Sequence, residues 1–234
     1  MINKRFLDRI QAGDLLGAKL RERTWLSSVV VLALPRGGVP VGARVAEILG
    51  APLDILVVRK IGAPAHEELA CGAIAPNGVV VWNESVLRTL GLTPADMSPT
   101  VRREELELSR RESAIRSPSA PALPLQGKSV ILVDDGIATG ATMRAAIHAV
   151  KRASPREIIV ALPVGPADSC HEIARDEKCV VECLREIPSG AFGSVGEWYE
   201  EFSQVETEEC RDLLEENRKK VAAARSGVLR GADE

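Results

Sequence analysis

Short apolar runs that alternate with helix-period segments constrain this chain more than any other feature. Residues 29–34 are β-branched or aliphatic and end at Pro35-Arg36-Gly37-Gly38, after which Val41, Val45, Ile48 and Leu49 recur at helical spacing up to Gly50. Residues 53–58 form a second buried-type run, completing a strand–helix–strand unit whose two strands must lie parallel. A third run at 130–133 precedes Met143, Ile147 and Val150 at helical period. Runs at 158–162 and 180–184 then enclose a short helix over 170–174. The alternation predicts an α/β fold built on a doubly wound parallel sheet of about five strands.

The remainder reads as periphery. Phe6, Leu7, Ile10, Leu15, Leu16 and Leu20 predict a helical arm over residues 3–22, open to interruption at Gly13-Asp14. Two apolar runs around Pro76-Asn77-Gly78 predict a small hairpin over 73–82 beside the main sheet. Residues 84–116 alternate helix and breaks, with Ser98-Pro99 opening a charged helix, and the Ser/Pro/Ala stretch 117–124 reads as a linker. After residue 185 the pattern dissolves into a Pro/Gly loop and the aromatic cluster Trp198, Tyr199 and Phe202. A helix opening at Thr207, with Glu208 and Glu209 in its first turn, follows. With 234 residues the chain suits one domain, 1–234. Its core would span about 29–185, with a peripheral insertion at about 73–127 and a C-terminal hood and helix at about 186–234.

Composition narrows the partners. A formal net charge of -3 gives no overall drive toward nucleic acid or an anionic membrane. Arg102, Arg103, Arg110 and Arg111 are interleaved with glutamates, as on a solvated helix face. The 5 cysteines are scattered without paired metal or redox spacing, and His66, His148 and His171 suggest neither a metal centre nor a triad. No stretch has the apolar length of a membrane span, and the N-terminal residues lack a signal-peptide pattern. A cytoplasmic protein is the expectation.

The chemistry is expected where the strands end, because ligands of parallel α/β sheets bind at the carboxyl ends of strands. Those ends carry Pro35-Arg36-Gly37-Gly38, Arg59-Lys60, and Asp134-Asp135-Gly136-Ile137-Ala138-Thr139-Gly140-Ala141-Thr142. In the last segment small residues and hydroxyls lie between a strand and a helix start, where backbone N–H groups can surround a phosphate. Two carboxylates repel a phosphate but accept hydrogen bonds from sugar hydroxyls, so the pair and the loop together suit a sugar phosphate. Fixed negative charge beside an anomeric carbon also stabilises a cationic transition state more than the ground state. A P-loop is absent, and Gly37-Gly38 lacks dinucleotide-fold spacing.

The segment VILVDDGIATGAT resembles the ribose-phosphate-binding sequence of type I phosphoribosyltransferases, in which apolar residues precede two acids and a T-G-x-T loop. The resemblance extends over roughly residues 29–185, and PRGGVPVG, VRKIGAP and WYEEFSQV resemble a bacterial subgroup with no assigned base substrate. It implies 5-phosphoribosyl-1-pyrophosphate as the ligand. Asp134 and Asp135 would hold the ribose hydroxyls, and Ala138, Thr139, Gly140, Ala141 and Thr142 the 5-phosphate. Arg36 and Gly37 would face pyrophosphate. Gly38, Arg59 and Lys60 are further candidates from their places at the strand ends, with residues 60–72 read as a mobile loop that could close over pyrophosphate; the alternative for Arg59-Lys60 is ordinary surface charge. Mg2+ would be held through substrate and water rather than by a protein cage, and a homodimer is implied. Relatives acting on 6-oxopurines carry an acid where this chain has Ala138, which argues against hypoxanthine or guanine. The expected activity is Mg-dependent transfer of the phosphoribosyl group to a nitrogen base. The alternative is a non-catalytic sensor of the same ligand or of a nucleotide.

Overall fold

The computed structural model describes residues 5–64, 66–117 and 120–230. Five strands, β1 (Val29–Ala33), β2 (Leu53–Ile55), β6 (Ser129–Val133), β7 (Glu157–Pro166) and β8 (Val180–Ile187), form one sheet in the order β2-β1-β6-β7-β8. Every pairing in it is parallel, with β1 and β6 in register from Val29↔Ser129 to Ala33↔Val133. The doubly wound α/β sheet expected from the alternating runs is therefore the observed core.

Side chains alternate across this sheet and feed two apolar layers. Val31, Ala33, Ile131, Val133, Ile159 and Ala161 pack with Leu16 and Leu20 of α1 (Arg9–Arg21), Val45 of α2 (Gly38–Leu49) and Leu214 of α7 (Thr207–Arg230). Val30, Leu32, Val130, Leu132, Val160 and Leu162 meet Met143 and Ile147 of α5 (Ala141–Lys151) and Ile173 of α6 (Ala167–Glu177). The edge strand β2 is blunted by a buried side chain of α7: Asn217 accepts from the Leu53 N–H at 2.8 Å and donates to the Ala51 carbonyl at 3.1 Å.

A second, antiparallel sheet is formed by β3 (Arg59–Ala63), β4 (His66–Ala75) and β5 (Val79–Trp82). The hairpin expected over 73–82 is present, and Asn77 and Gly78 both take positive φ, 63° and 68°, within the three-residue turn 76–78 that joins the paired Ala75 and Val79. The mobile loop expected over 60–72 is not. Those residues belong mostly to β3 and β4, paired from Arg59↔Ile74 to Ala63↔His66, because Ile61 and Cys71 are wholly buried and draw both strands onto the core. Between that sheet and β6 lie α3 (Glu84–Leu90) and α4 (Ser98–Ile115).

The N-terminal arm also departs from expectation. Helix α1 begins only at Arg9, where Asp8 Oδ1 caps it by accepting from the Gln11 N–H at 2.7 Å. Phe6 is extended and bridges in parallel to Tyr199. Its N–H donates to the Trp198 carbonyl and its own carbonyl accepts from Glu200, both at 2.8 Å, while the Leu7 carbonyl accepts from Glu201 at 2.9 Å. These backbone bonds use groups that a helix through residue 6 would have claimed for itself. Residues 3 and 4 of the expected helix lie outside the described residues. Among the described residues no helix is long and apolar enough to cross a membrane.

Candidate active site

The acidic pair sits where the sheet delivers it. Asp134 and Asp135 follow the last residue of β6, and Asp135 donates its N–H to Asp134 Oδ1 at 2.9 Å, which fixes the turn between them. The neighbouring strand end lies against them, since Leu34 donates its N–H to the Val133 carbonyl at 2.8 Å. A side chain on Gly37 would bring its Cβ to 2.0 Å from Asp135 Oδ2, and one on Gly38 to 2.9 Å from Asp134 Cα. The glycine pair is thus there for close approach: it lets the Pro35–Gly38 loop touch the acids.

Beyond the acids the chain turns into α5. Ile137 is buried and donates its N–H to the Val164 carbonyl at 3.1 Å, and Ser169 Oγ donates to the Ala138 carbonyl at 2.8 Å. Ala138 and Thr139 are exposed, Gly140 takes φ 71°, and Ala141 and Thr142 open the helix. No side chain caps this helix and no acid stands in its first turn. Its first N–H groups and positive dipole end are left to a ligand, an anion above all.

Electrostatics at the pair are strained. Burial pushes the Asp134 carboxyl well above the usual range, and the neighbouring Asp135 charge adds to it. Burial also raises Asp135, against the opposing pull of the Arg9 guanidinium. Arg9 Nε donates to Asp135 Oδ2 at 2.9 Å, with only 12% and 14% of the two side chains exposed. The Tyr199 hydroxyl donates to the Asp135 carbonyl at 2.6 Å, and burial holds that phenol far above its ordinary titration range.

The cationic residues named from sequence divide. Arg36 is partly exposed beside Glu206, 3.7 Å away, and borders a cavity of about 300 Å³ at the ends of β1 and β2. Arg110 and Arg111 of α4 border the same cavity while both donate to Glu107, and with Arg102 and Arg103 they are exposed, as expected of a solvated helix face. Those donations hold the Glu107 carboxyl down at about 2. Arg59 is drawn instead to Glu104 of α4, at 2.9 and 2.6 Å, and exposed Lys60 follows it in β3. The structure therefore brings Gly37 and Gly38 against the acids, turns the Arg36 guanidinium toward Glu206, and commits the Arg59 guanidinium to α4.

The aromatic cluster packs. Tyr199 is 2% exposed, with the Phe6 and Phe202 rings 5.5 and 5.0 Å away, and Phe192 stacks on Trp198 at 6.5 Å. Val195 lies over Gly136, where an added Cβ would come within 2.7 Å of it. The segment after β8 thus covers the acidic turn as a hood. Arg9 is the residue that sequence reasoning missed, and no local signal marks it: its partner lies 126 positions away.

Comparison with known proteins bears on the family and the fold. A family model described as a phosphoribosyl transferase domain matches residues 4–201. A Mycobacterium tuberculosis protein provisionally named a phosphoribosyl transferase is 41% identical over 221 residues, covering 94% of this chain and 49% of the relative. The chain thus spans about half the length of the curated relatives it matches. The crystal structure of TT1426 from Thermus thermophilus superposes with a TM-score of 0.75 at 35% identity, covering 90% of this chain and 98% of that one. The chain belongs to the phosphoribosyl transferase domain family.

Proposed function

We propose that the chain transfers the phosphoribosyl group of 5-phosphoribosyl-1-pyrophosphate to a nitrogen base in a Mg-dependent reaction. The observation that carries this reading is the contact between three elements at one end of the sheet: the acidic pair, the glycine loop against it, and the uncapped start of α5 beyond it. An N–C bond forms at the anomeric carbon as its C–O bond to pyrophosphate breaks, and the nucleophile's proton goes to solvent. Asp134 and Asp135 would accept from the ribose hydroxyls and offset positive charge at the ring. Ala138, Thr139, Gly140, Ala141 and Thr142 would hold the 5-phosphate through backbone N–H and hydroxyl groups. Arg36, Gly37 and Gly38 would face the pyrophosphate, with Lys60 near it in β3.

Two buried carboxylates whose charges oppose each other form a site that a cation relieves. Mg2+ fits there through substrate oxygens and water, and would neutralise the departing pyrophosphate. In this reading residues 1–234 act as one domain, with 73–127 as insertion and 186–234 as hood, in a cytoplasmic homodimer; the free cysteines suit a reducing compartment.

A second reading, a sensor that binds the same ligand without turnover, has one observation in its favour. Ala138 faces solvent in the phosphate loop with a methyl group that can move no proton. Pyrophosphate release, measured with Mg2+ against purine, pyrimidine and pyridine bases beside calorimetry of the ligand alone, separates the two. Release with one base is the expected outcome. Tight binding with no release across the panel supports the sensor, and neither binding nor release removes both.

A further inference from the structure

We infer that Arg9 is a positioning residue of this site, holding one oxygen of Asp135 so that the other stays presented to a ribose hydroxyl. The inference rests on the ribose-binding role given to Asp135 above.

Three restraints fix the Arg9 guanidinium. Its Nε donates to Asp135 Oδ2 at 2.9 Å, its Nη1 donates to the Ser203 carbonyl at 2.7 Å, and its central carbon lies 3.8 Å from the centre of the Phe202 ring. A guanidinium held by a carboxylate, a carbonyl and an aromatic face cannot rotate without losing all three. On the acidic side the division is equally definite. Asp135 Oδ2 is taken by Arg9 and Asp134 Oδ1 by the Asp135 N–H. Among the described residues, no basic side chain reaches Asp135 Oδ1 or Asp134 Oδ2. Each carboxylate therefore has one oxygen that no basic side chain engages, and the two carboxyl groups share a side-chain hydrogen bond that a ribose hydroxyl would replace.

Attachment of the arm does not need this ion pair. The arm is already held to the hood by three backbone hydrogen bonds and by Phe6, which is 1% exposed. Removing two charges from water is costly, so a buried ion pair is poor evidence for a stabilising role, and well-packed apolar residues often serve stability better. What an apolar pair could not do is hold a carboxylate in one orientation beside a second carboxylate. The charged and titratable groups around Asp135 are Asp134 from its own turn, Arg9 from α1, and Tyr199 from the hood. Arg185 of β8 stands behind them over the Phe6 ring. Arg9 is the cation in direct contact.

The test uses the full chain with Mg2+, 5-phosphoribosyl-1-pyrophosphate and the accepted base, and reads turnover and calorimetric affinity separately. Arg9→Ala is expected to lose about 100-fold in kcat/KM for the pyrophosphate substrate, with weaker binding of that substrate and an unchanged KM for the base. Millimolar methylguanidinium should restore about tenfold of that loss, since it refills the vacated position. Asp8→Ala loosens the cap of α1 but keeps the guanidinium, and should stay within about threefold of wild type. The inference is overturned if Arg9→Ala stays within about threefold of wild type or becomes faster, if methylguanidinium restores nothing, or if Asp8→Ala loses as much as Arg9→Ala. A wild-type chain that neither binds the substrate nor releases pyrophosphate sinks the proposed function itself, and the role of Arg9 with it. A competent wild type beside an indifferent Arg9→Ala sinks only the latter.

Discussion

Asp134 stands just after β6 with its charge opposed by burial and by Asp135, so its ionised form is a cost to the folded state. The sign follows from linkage. A carboxyl whose folded pKa lies above its unfolded one lends stability that is complete below the unfolded value, and loses it as pH rises through the folded value. At neutral pH Asp134→Asn should therefore raise the melting temperature while removing turnover. Each kcal/mol gained should appear as about 2–4 °C in a chain of this size. The gain should shrink as pH falls through the raised folded value and be gone below the unfolded value of about 4. Melting curves at about pH 7.5 and about pH 4.5 decide it: a variant less stable than wild type at the higher pH would mean that the carboxylate is satisfied in the fold rather than held for a ligand. At this scale the sequence showed the acids plainly, because two consecutive carboxylates before T-G-A-T leave few other uses. It hid Arg9, whose role depends on a contact 126 positions away that no local pattern encodes.

Elements differ in how openly their sequences announce them. The buried strands β1, β6 and β7 were legible as unbroken aliphatic runs, and the β4–β5 hairpin as Asn-Gly between two of them. The β3–β4 pairing was not. His66-Glu67-Glu68 and the glycines at 62 and 72 imitate a solvated loop, while the burial of Ile61 and Cys71 that decides the matter is tertiary. The Pro35–Gly38 loop is an intermediate case, since glycines after a strand permit a tight turn whether or not anything touches them. Here the contact is the reason. Gly37 has φ −59°, open to any residue, so Gly37→Ala should leave the backbone unstrained and the fold intact. Its Cβ would nonetheless fall 2.0 Å from Asp135 Oδ2 and displace the carboxylate that Arg9 holds. Affinity for 5-phosphoribosyl-1-pyrophosphate should drop at least about tenfold by calorimetry, the scale of one lost charge-assisted hydrogen bond. Unchanged affinity would show that the loop can retreat and that its closeness to the acids is incidental.

Across the whole molecule the N-terminal arm and the hood meet over one edge of the site. The arm at Phe6 and Leu7 pairs with residues 198–201, and the hood so anchored sends Tyr199 to Asp135 and Val195 onto Gly136. A sequence of 234 residues gave no sign of this, because an arm read as helix has no backbone groups to offer a hood. The pairing predicts that arm and hood open together ahead of the main sheet, which has its own two apolar layers, although the cluster around Phe6 also takes in Val164 of β7 and Ile187 of β8. Phe6 is the centre of that unit, in contact with Tyr199 and under the Arg185 guanidinium at 3.9 Å. Truncating a fully buried phenylalanine costs about 3–5 kcal/mol, more than a short clasp can absorb without opening. In Phe6→Ala the amides of residues 6, 200 and 201 should lose hydrogen-exchange protection together, while those of Val31 and Ile131 keep theirs. If instead the sheet amides loosen in step with the hood, the arm is part of the global folding unit. The Arg9–Asp135 contact would then belong to the stability of the whole chain rather than to a cover over its site.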